Sequence, residues 1–155
     1  MQTIGVPTAR FNITVRNGTI AGMGQEGIFL IGDANLVEYI TARSNGRLGI
    51  ALSSSAEQGA SVVRHSVAQR NGESGIALAV GLASFNTASG NGLTGISVSS
   101  GTASYNHINR NKSGLSMNRG NYYGNSFDGN ALGNSGGVNQ GQNICDGVTC
   151  PGAQF

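Results

Sequence analysis

The chain of 155 residues contains no tryptophan, two prolines, two cysteines and only three aspartates. Charged residues are 10% of the sequence, against a usual share of about 25%. Each shortage excludes something. With so few charges and 38% hydrophobic residues, the chain lacks the high charge and low hydropathy of a disordered segment. Nine basic and seven acidic residues leave a formal net charge of +2, which is no electrostatic footprint for nucleic acid or an anionic membrane. No apolar run approaches ~20 residues, so no membrane-spanning helix is expected. The opening MQTIGVPTAR does not have the pattern of a signal peptide. What the chain has in excess is turn-formers. Glycine, asparagine and serine together supply 60 residues, or 39%.

Those turn-formers recur in register. A glycine followed by aliphatic, any residue, aliphatic appears as Gly27-Ile28-Phe29-Leu30, Gly49-Ile50-Ala51-Leu52, Gly75-Ile76-Ala77-Leu78, Gly95-Ile96-Ser97-Val98 and Gly114-Leu115-Ser116-Met117. Upstream stands a second column, Asn45, Asn71, Asn91, Asn111 and Asn130, with spacings of 26, 20, 20 and 19. Eight residues before these anchors lie Val37, Val63, Ala83, Ala103 and Tyr122; three before lie Ala42, Ala68, Ala88, Ile108 and Phe127. Asn86, Asn106 and Asn125 stand five before the last three. An earlier copy fits with Met23 as anchor, making six. Glycines come too often for helical repeats, and the consensus of leucine-rich repeats is missing. Short strands coiling three to a turn and stacking at ~4.8 Å predict an all-β, right-handed parallel β-helix of about six turns, 19–26 residues per turn. The aliphatic columns should stack as interior ladders, the asparagines should form an amide ladder at a bend, and the glycines before each Ile-x-Leu should supply a φ > 0 corner. The β-helix domain is expected over residues 1–142, with a tail over 143–155.

Runs such as Asn17-Gly18-Thr19-Ile20 with Gly27-Ile28, and Ser89-Gly90-Asn91-Gly92 with Gly95-Ile96, resemble right-handed parallel β-helix repeat proteins of the pectate-lyase-like superfamily. The closing Asn143-Ile144-Cys145-Asp146-Gly147-Val148-Thr149-Cys150-Pro151 is similar to the tail of secreted bacterial members. The resemblance implies an extracellular protein and a polysaccharide as possible partner. Enzymes of such a superfamily work with clustered carboxylates or a calcium ion. Here Asp33, Asp128 and Asp146 fall in separate copies, Glu38 and Glu73 occupy different columns, and no carboxylate pair for glycoside hydrolysis stands out. His65 shares a column with Tyr39, Phe85 and Tyr105, which predicts a ring stack rather than a catalytic base. His107, beside Thr87 and Ser126, has no carboxylate or cysteine partner. No metal, cofactor or catalytic residue is expected.

The candidate ligand-binding surface is Asp33, Ser53, Ser54, Ser55, Glu57 and Gln58, with Arg43 and Arg47 from neighbouring faces. It rests on the copy stretched to 26 residues, whose link from Leu52 to Val63 lies over Gly32–Leu36. Loops on a rigid solenoid are where binding surfaces sit, and where neutral insertions collect. Deleting Ser54–Gln58 is expected to leave the fold almost intact. Register also stacks Glu38 on Arg64 and Arg47 on Glu73. These are either cross-turn ion pairs or, with Arg43 and Arg70, a groove for acidic sugars. The leading reading is a non-catalytic structural or carbohydrate-contacting module; the alternative is a polysaccharide-active lyase or hydrolase near Asp33 and Glu57. Ice binding would want an outward threonine column, which Thr41, Thr87 and Thr102 do not make. Asn12-Ile13-Thr14, Asn17-Gly18-Thr19 and Asn111-Lys112-Ser113 match the glycosylation acceptor pattern. Cys145 and Cys150 are expected to close a disulfide loop. Growth of one column from Ala88 to Ile108 to Phe127, and Tyr122 in another, should plug the C-terminal end. Met1–Gly5 holds no such plug, so self-association through the solenoid ends, or a missing segment of a longer protein, is expected.

Overall fold

The computed structural model describes residues 11–55, 57 and 59–152, and among these the chain forms fifteen strands and no helix. In chain order they are β1 Thr14–Ala21, β2 Ile28–Ile31, β3 Leu36–Arg43, β4 Ile50–Ser53, β5 Ser61–Arg64, β6 Val67–Gln69, β7 Ile76–Ser84 and β8 Thr87–Ser89. They continue as β9 Thr94–Ser104, β10 His107–Asn109, β11 Ser113–Tyr123, β12 Ser126–Asp128, β13 Val138–Asn139, β14 Ile144–Cys145 and β15 Val148–Thr149. All pairings are parallel and one repeat apart except the β14–β15 hairpin. Ile28 pairs with Ile50, then Ile76, Ile96 and Leu115, as the repeat arithmetic expects. The product is a three-faced parallel β-solenoid of about six turns. On the later turns two faces run into one strand in β7, β9 and β11. The bend falls at Gly81, Gly101 and Gly120, where a Cβ would collide with the carbonyl oxygen one turn away.

Alternation along each strand sends one residue into the bore and the next outward. Ile50, Ile76, Ile96 and Leu115 are fully buried, as are Val37, Val63, Ala83 and Ala103 and the column Ala42, Ala68, Ala88, Ile108. Each large aliphatic there contributes about 1.5–3 kcal/mol by leaving water. The bore is narrow, so the small alanines are a packing requirement rather than a weakness.

Two amide ladders hold the corners. In the first, the Nδ2 of Asn45, Asn71, Asn91 and Asn111 each donates to the Oδ1 of the next asparagine at 2.9–3.1 Å, ending on Asn130. The same oxygens accept the backbone N–H one turn back. The second ladder runs Asn86, Asn106, Asn125, Asn143 with the same chemistry. No buried side-chain polar atom among the described residues lacks a partner.

The glycines before each Ile-x-Leu do a different job from the expected one. Gly27, Gly49, Gly75, Gly95 and Gly114 are not at positive φ. A Cβ on Gly27, Gly49 or Gly75 would instead sit 2.6–2.7 Å from the Nδ2 of Asn45, Asn71 or Asn91. The glycine clears space for the ladder. Positive φ falls instead at the residue preceding each corner. Ser44, Arg70, Gly90 and Arg110 take it before the first ladder. In the column of the second corner rings take it, Tyr39 at 53°, His65 at 48°, Phe85 at 55° and Tyr105 at 53°. A left-handed residue with a Cβ costs roughly 1–2 kcal/mol. The rings recover much of it by stacking at 5.1–5.2 Å with interplanar angles of 7–13°, worth about 0.5–1.5 kcal/mol per aromatic pair. Thus His65 is a member of a ring stack.

The C-terminal end is plugged. Phe127 is 4% exposed, Tyr122 meets it edge-on at 6.3 Å, and Cys150 joins the core cluster. Cys145 and Cys150 form the expected disulfide. Asn143 ends the second amide ladder and β14 pairs with β12, so stacking continues into the residues read as tail. Met1–Gly5, singled out at the other end, lies outside the described residues.

Candidate functional site

The stretched turn carries the candidate site. After β4 the chain leaves the stack through Ser54 and Ser55 and returns at Ser61, crossing over the link Gly32–Asn35 of the turn before. The loop is tied down. Asp33 is 2% exposed, and its carboxylate accepts from the Ser55 backbone N–H at 2.8 Å and from the Ser55 hydroxyl at 3.0 Å. Ser54 donates its hydroxyl to the Val80 carbonyl at 2.9 Å, and the Ala34 N–H reaches the Gly59 carbonyl at 3.0 Å. The segment is therefore stitched to the turns on both sides and is not a free insertion. Deleting Ser54–Gln58 would remove two donors from a buried carboxylate, which costs about 1–3 kcal/mol or more.

Beside this stitching lies a cleft of about 370 Å3 lined by Phe11, Ile31, Gly32, Asp33, Ser53, Ser54, Ser55 and Glu57. Five of the expected surface residues thus come together: Asp33, Ser53, Ser54, Ser55 and Glu57. Gln58 lies outside the described residues. Arg43 and Arg47 do not line the cleft. Arg43 is exposed at the end of β3, in register with Ala21 and Gln69. Arg47 lies between two carboxylates of adjacent turns, Glu26 at 3.0 Å and Glu73 at 3.1 Å. The hydrogen bond it donates to Glu73, then the charges of Glu73 and Glu26, hold its guanidinium above the ordinary value. Arg64 likewise pairs with Glu38 at 2.8 Å. For Arg47 and Arg64 the ion-pair reading therefore describes the surface.

The apolar wall, Phe11 at 48% and Ile31 at 58% exposure, was not anticipated. The signal was present: the 22-residue step from Met23 to Asn45 also puts Phe11 in the column of Asp33, and Ile31 pairs in register with Ser53. Glu26 was missed because the register stacks Gln25, not Glu26, against Arg47, and the ion pair crosses from one column to the next. A second cavity of about 310 Å3 lies under the tail, lined among others by Tyr122, Phe127, Asn134 and Asp146. Burial pushes the Tyr122 phenol up. Among the described residues no three His, Cys, Asp or Glu side chains gather closely enough to hold a metal ion.

Neither the curated proteins nor the solved structures contain a match to this chain. The family model of the right-handed β-helix region matches residues 5–147, which spans the solenoid from before its first described strand into the disulfide loop. With the register, the ladders and that match in agreement, the chain belongs to the right-handed β-helix family.

Proposed function

We propose that this chain is a non-catalytic, extracellular β-helix module of the pectate-lyase-like kind, contacting polysaccharide through the cleft around Asp33, Ser53–Ser55 and Glu57. The observation that carries the reading is the cleft's mixture of surfaces. Exposed Phe11 and Ile31 face the same space as three serines and two carboxylates. A sugar ring presents an apolar face and a rim of hydroxyls, and needs both kinds of partner. The acids favour binding over turnover, because most already serve the framework. Asp33 holds Ser55, Glu38 holds Arg64, Glu26 and Glu73 hold Arg47, and Asp146 accepts the Gly129 N–H. The disulfide supports an oxidising, extracellular setting.

The test is a glycan array probed with the purified chain, with and without calcium, followed by titration of the best hit. Phe11→Ala and Glu57→Ala should each weaken binding about tenfold, which is about 1.4 kcal/mol. Arg43→Ala should leave it unchanged. Binding that survives both cleft substitutions would place the surface elsewhere, and release of sugar fragments by the parent would make the chain an enzyme.

A further inference from the structure

We infer that Asn17–Gly18 is a site of spontaneous covalent modification, where the Asn17 side chain passes from amide to carboxylate, and that the amide ladder holds the same dipeptide inert elsewhere. Asparagine followed by glycine occurs four times, at 17–18, 45–46, 71–72 and 91–92. Deamidation is easiest in this dipeptide, because glycine has no Cβ to screen the backbone nitrogen that attacks. The glycine nitrogen forms a bond to the asparagine Cγ, and the bond from Cγ to Nδ2 breaks. Ammonia departs with the proton of the glycine N–H. Water then opens the succinimide at either carbonyl, leaving aspartate or isoaspartate. Water is consumed and ammonia released, with no oxidant or reductant.

Three of the four pairs are locked at both reacting groups. Asn45, Asn71 and Asn91 are 2%, 2% and 3% exposed. Their Oδ1 atoms accept the backbone N–H of Met23, Asn45 and Asn71, and each Nδ2 donates to the next asparagine of the ladder. The attacking nitrogens are engaged too, since the N–H groups of Gly46, Gly72 and Gly92 donate to the carbonyls of Met23, Asn45 and Asn71 at 2.7–2.9 Å. Glycine is a packing requirement there: a Cβ would collide with the carbonyl oxygen of Gly24, Gly46 or Gly72. Packing forces the labile dipeptide into the ladder, and the ladder restrains it.

Asn17 shares none of this. It is exposed, and its side chain makes no hydrogen bond among the described residues. Its column is that of Tyr39, Phe85 and Tyr105, which remain 46–55% exposed with a turn on either side, so facing outward is a property of the corner itself. In the column of Gly18 the following turn supplies a side-chain acceptor to the backbone. The Ile40 N–H donates to Ser66 Oγ, that of Ser66 to Asn86 Oδ1 and that of Asn86 to Asn106 Oδ1. Gly18 is paired instead with Ile40, which has no such oxygen. A Cβ on Gly18 would come no nearer than 3.9 Å to Ile40 Cδ1, so packing does not demand glycine at this position.

Ageing the full chain in mildly alkaline buffer, without reductant, tests this. Peptide mapping by mass spectrometry follows each of the four pairs, and ion exchange follows the fall in formal net charge from +2 to +1. Asn17 should convert to a mixture of aspartate and isoaspartate. Asn45, Asn71 and Asn91 should lag by about tenfold or more, the suppression set by a ladder that must first open at a cost of about 1.4 kcal/mol. In denaturant all four should convert at comparable rates. Gly18→Ala should keep the parental circular dichroism spectrum, because its methyl group meets open space, and should slow the loss at Asn17. Folded chain in which Asn17 survives as long as the ladder asparagines overturns the proposal, as does a ladder that converts as fast as Asn17. A Gly18→Ala chain that ages at the parental rate would equally defeat it, since the residue 18 nitrogen would then not be the attacking group.

Discussion

At the first described rung Val15, Ile20 and Leu30 sit half-buried; at the last, Phe127 is 4% exposed beneath a disulfide hairpin. The repeat unit is the same at both ends, with the same strand register and the same left-handed corner before each bend. Among the described residues the two ends differ in side-chain volume and in the hairpin that only the C-terminal one carries. Interior alanines suffice while another rung lies above them. Where the stack stops, the bore must be filled from within, and Ile108, Phe127 and Tyr122 widen it into a plug that the hairpin then covers. A solenoid is held together one interface at a time, so an end without a plug is a local weakness rather than a global one.

Three measurements would break or sharpen that contrast. The largest effect belongs to the middle, where neither end matters. Asn91→Ala removes the acceptor of the Asn71 N–H and Nδ2 and the donor to Ala68 and Asn111. Each buried group left unpaired costs about 1–3 kcal/mol, so chemical denaturation should show a loss comparable to or larger than Ile76→Ala at about 2–5 kcal/mol. An unchanged midpoint for both would dissolve the ladder and the register with it.

Next comes the direct comparison of ends. Phe127→Ala should cost about 3–5 kcal/mol, as large-to-small core changes do. Val15→Ala, on the first described rung, should cost less than about 1 kcal/mol, since only part of its two methyl groups leaves water. Equal losses would mean that the N-terminal bore is covered as well as the C-terminal one.

The smallest effect is a pH dependence confined to the plug. Burial raises the Tyr122 phenol above the ordinary value of 10.0, so the folded protein favours the neutral ring. The resulting stabilisation is fully present below about pH 10 and is lost as pH rises through the folded value. Melting temperature followed across that window should fall less steeply for Tyr122→Phe than for the parent. Identical slopes would remove Tyr122 from the plug.

Most of the framework was legible because it is written as repetition. Anchoring on Asn45, Asn71, Asn91 and Asn111 reproduced the pairing of Ile50 with Ile76 and Ile96, the stacking of Tyr39, His65, Phe85 and Tyr105, and the ion pairs of Glu38 and Arg47. In a stacked chain, equal position in the repeat is contact in space. Besides Glu26, two features escaped. The reason for Gly27, Gly49 and Gly75 was misassigned, because a clash with the amide of the next turn cannot be told from a φ requirement by residue type alone. The cleft was half seen, because Phe11 and Ile31 become its wall only when the first turn is brought into register with the stretched one.

The sequence by itself determined the period, the columns, the bore-facing residues and the cysteine pair, since each is set by residue identity at a fixed interval. Tertiary structure alone decided three other matters: that Asp33 is spent on Ser55, that Arg47 is held between Glu26 and Glu73 away from the cleft, and that the disulfide hairpin lies over Phe127. The physical reason is the same in each case. Strand register is set by a periodic pattern, but the pairing of a carboxylate or the filling of an end depends on distances between loops of unequal length, which no period encodes.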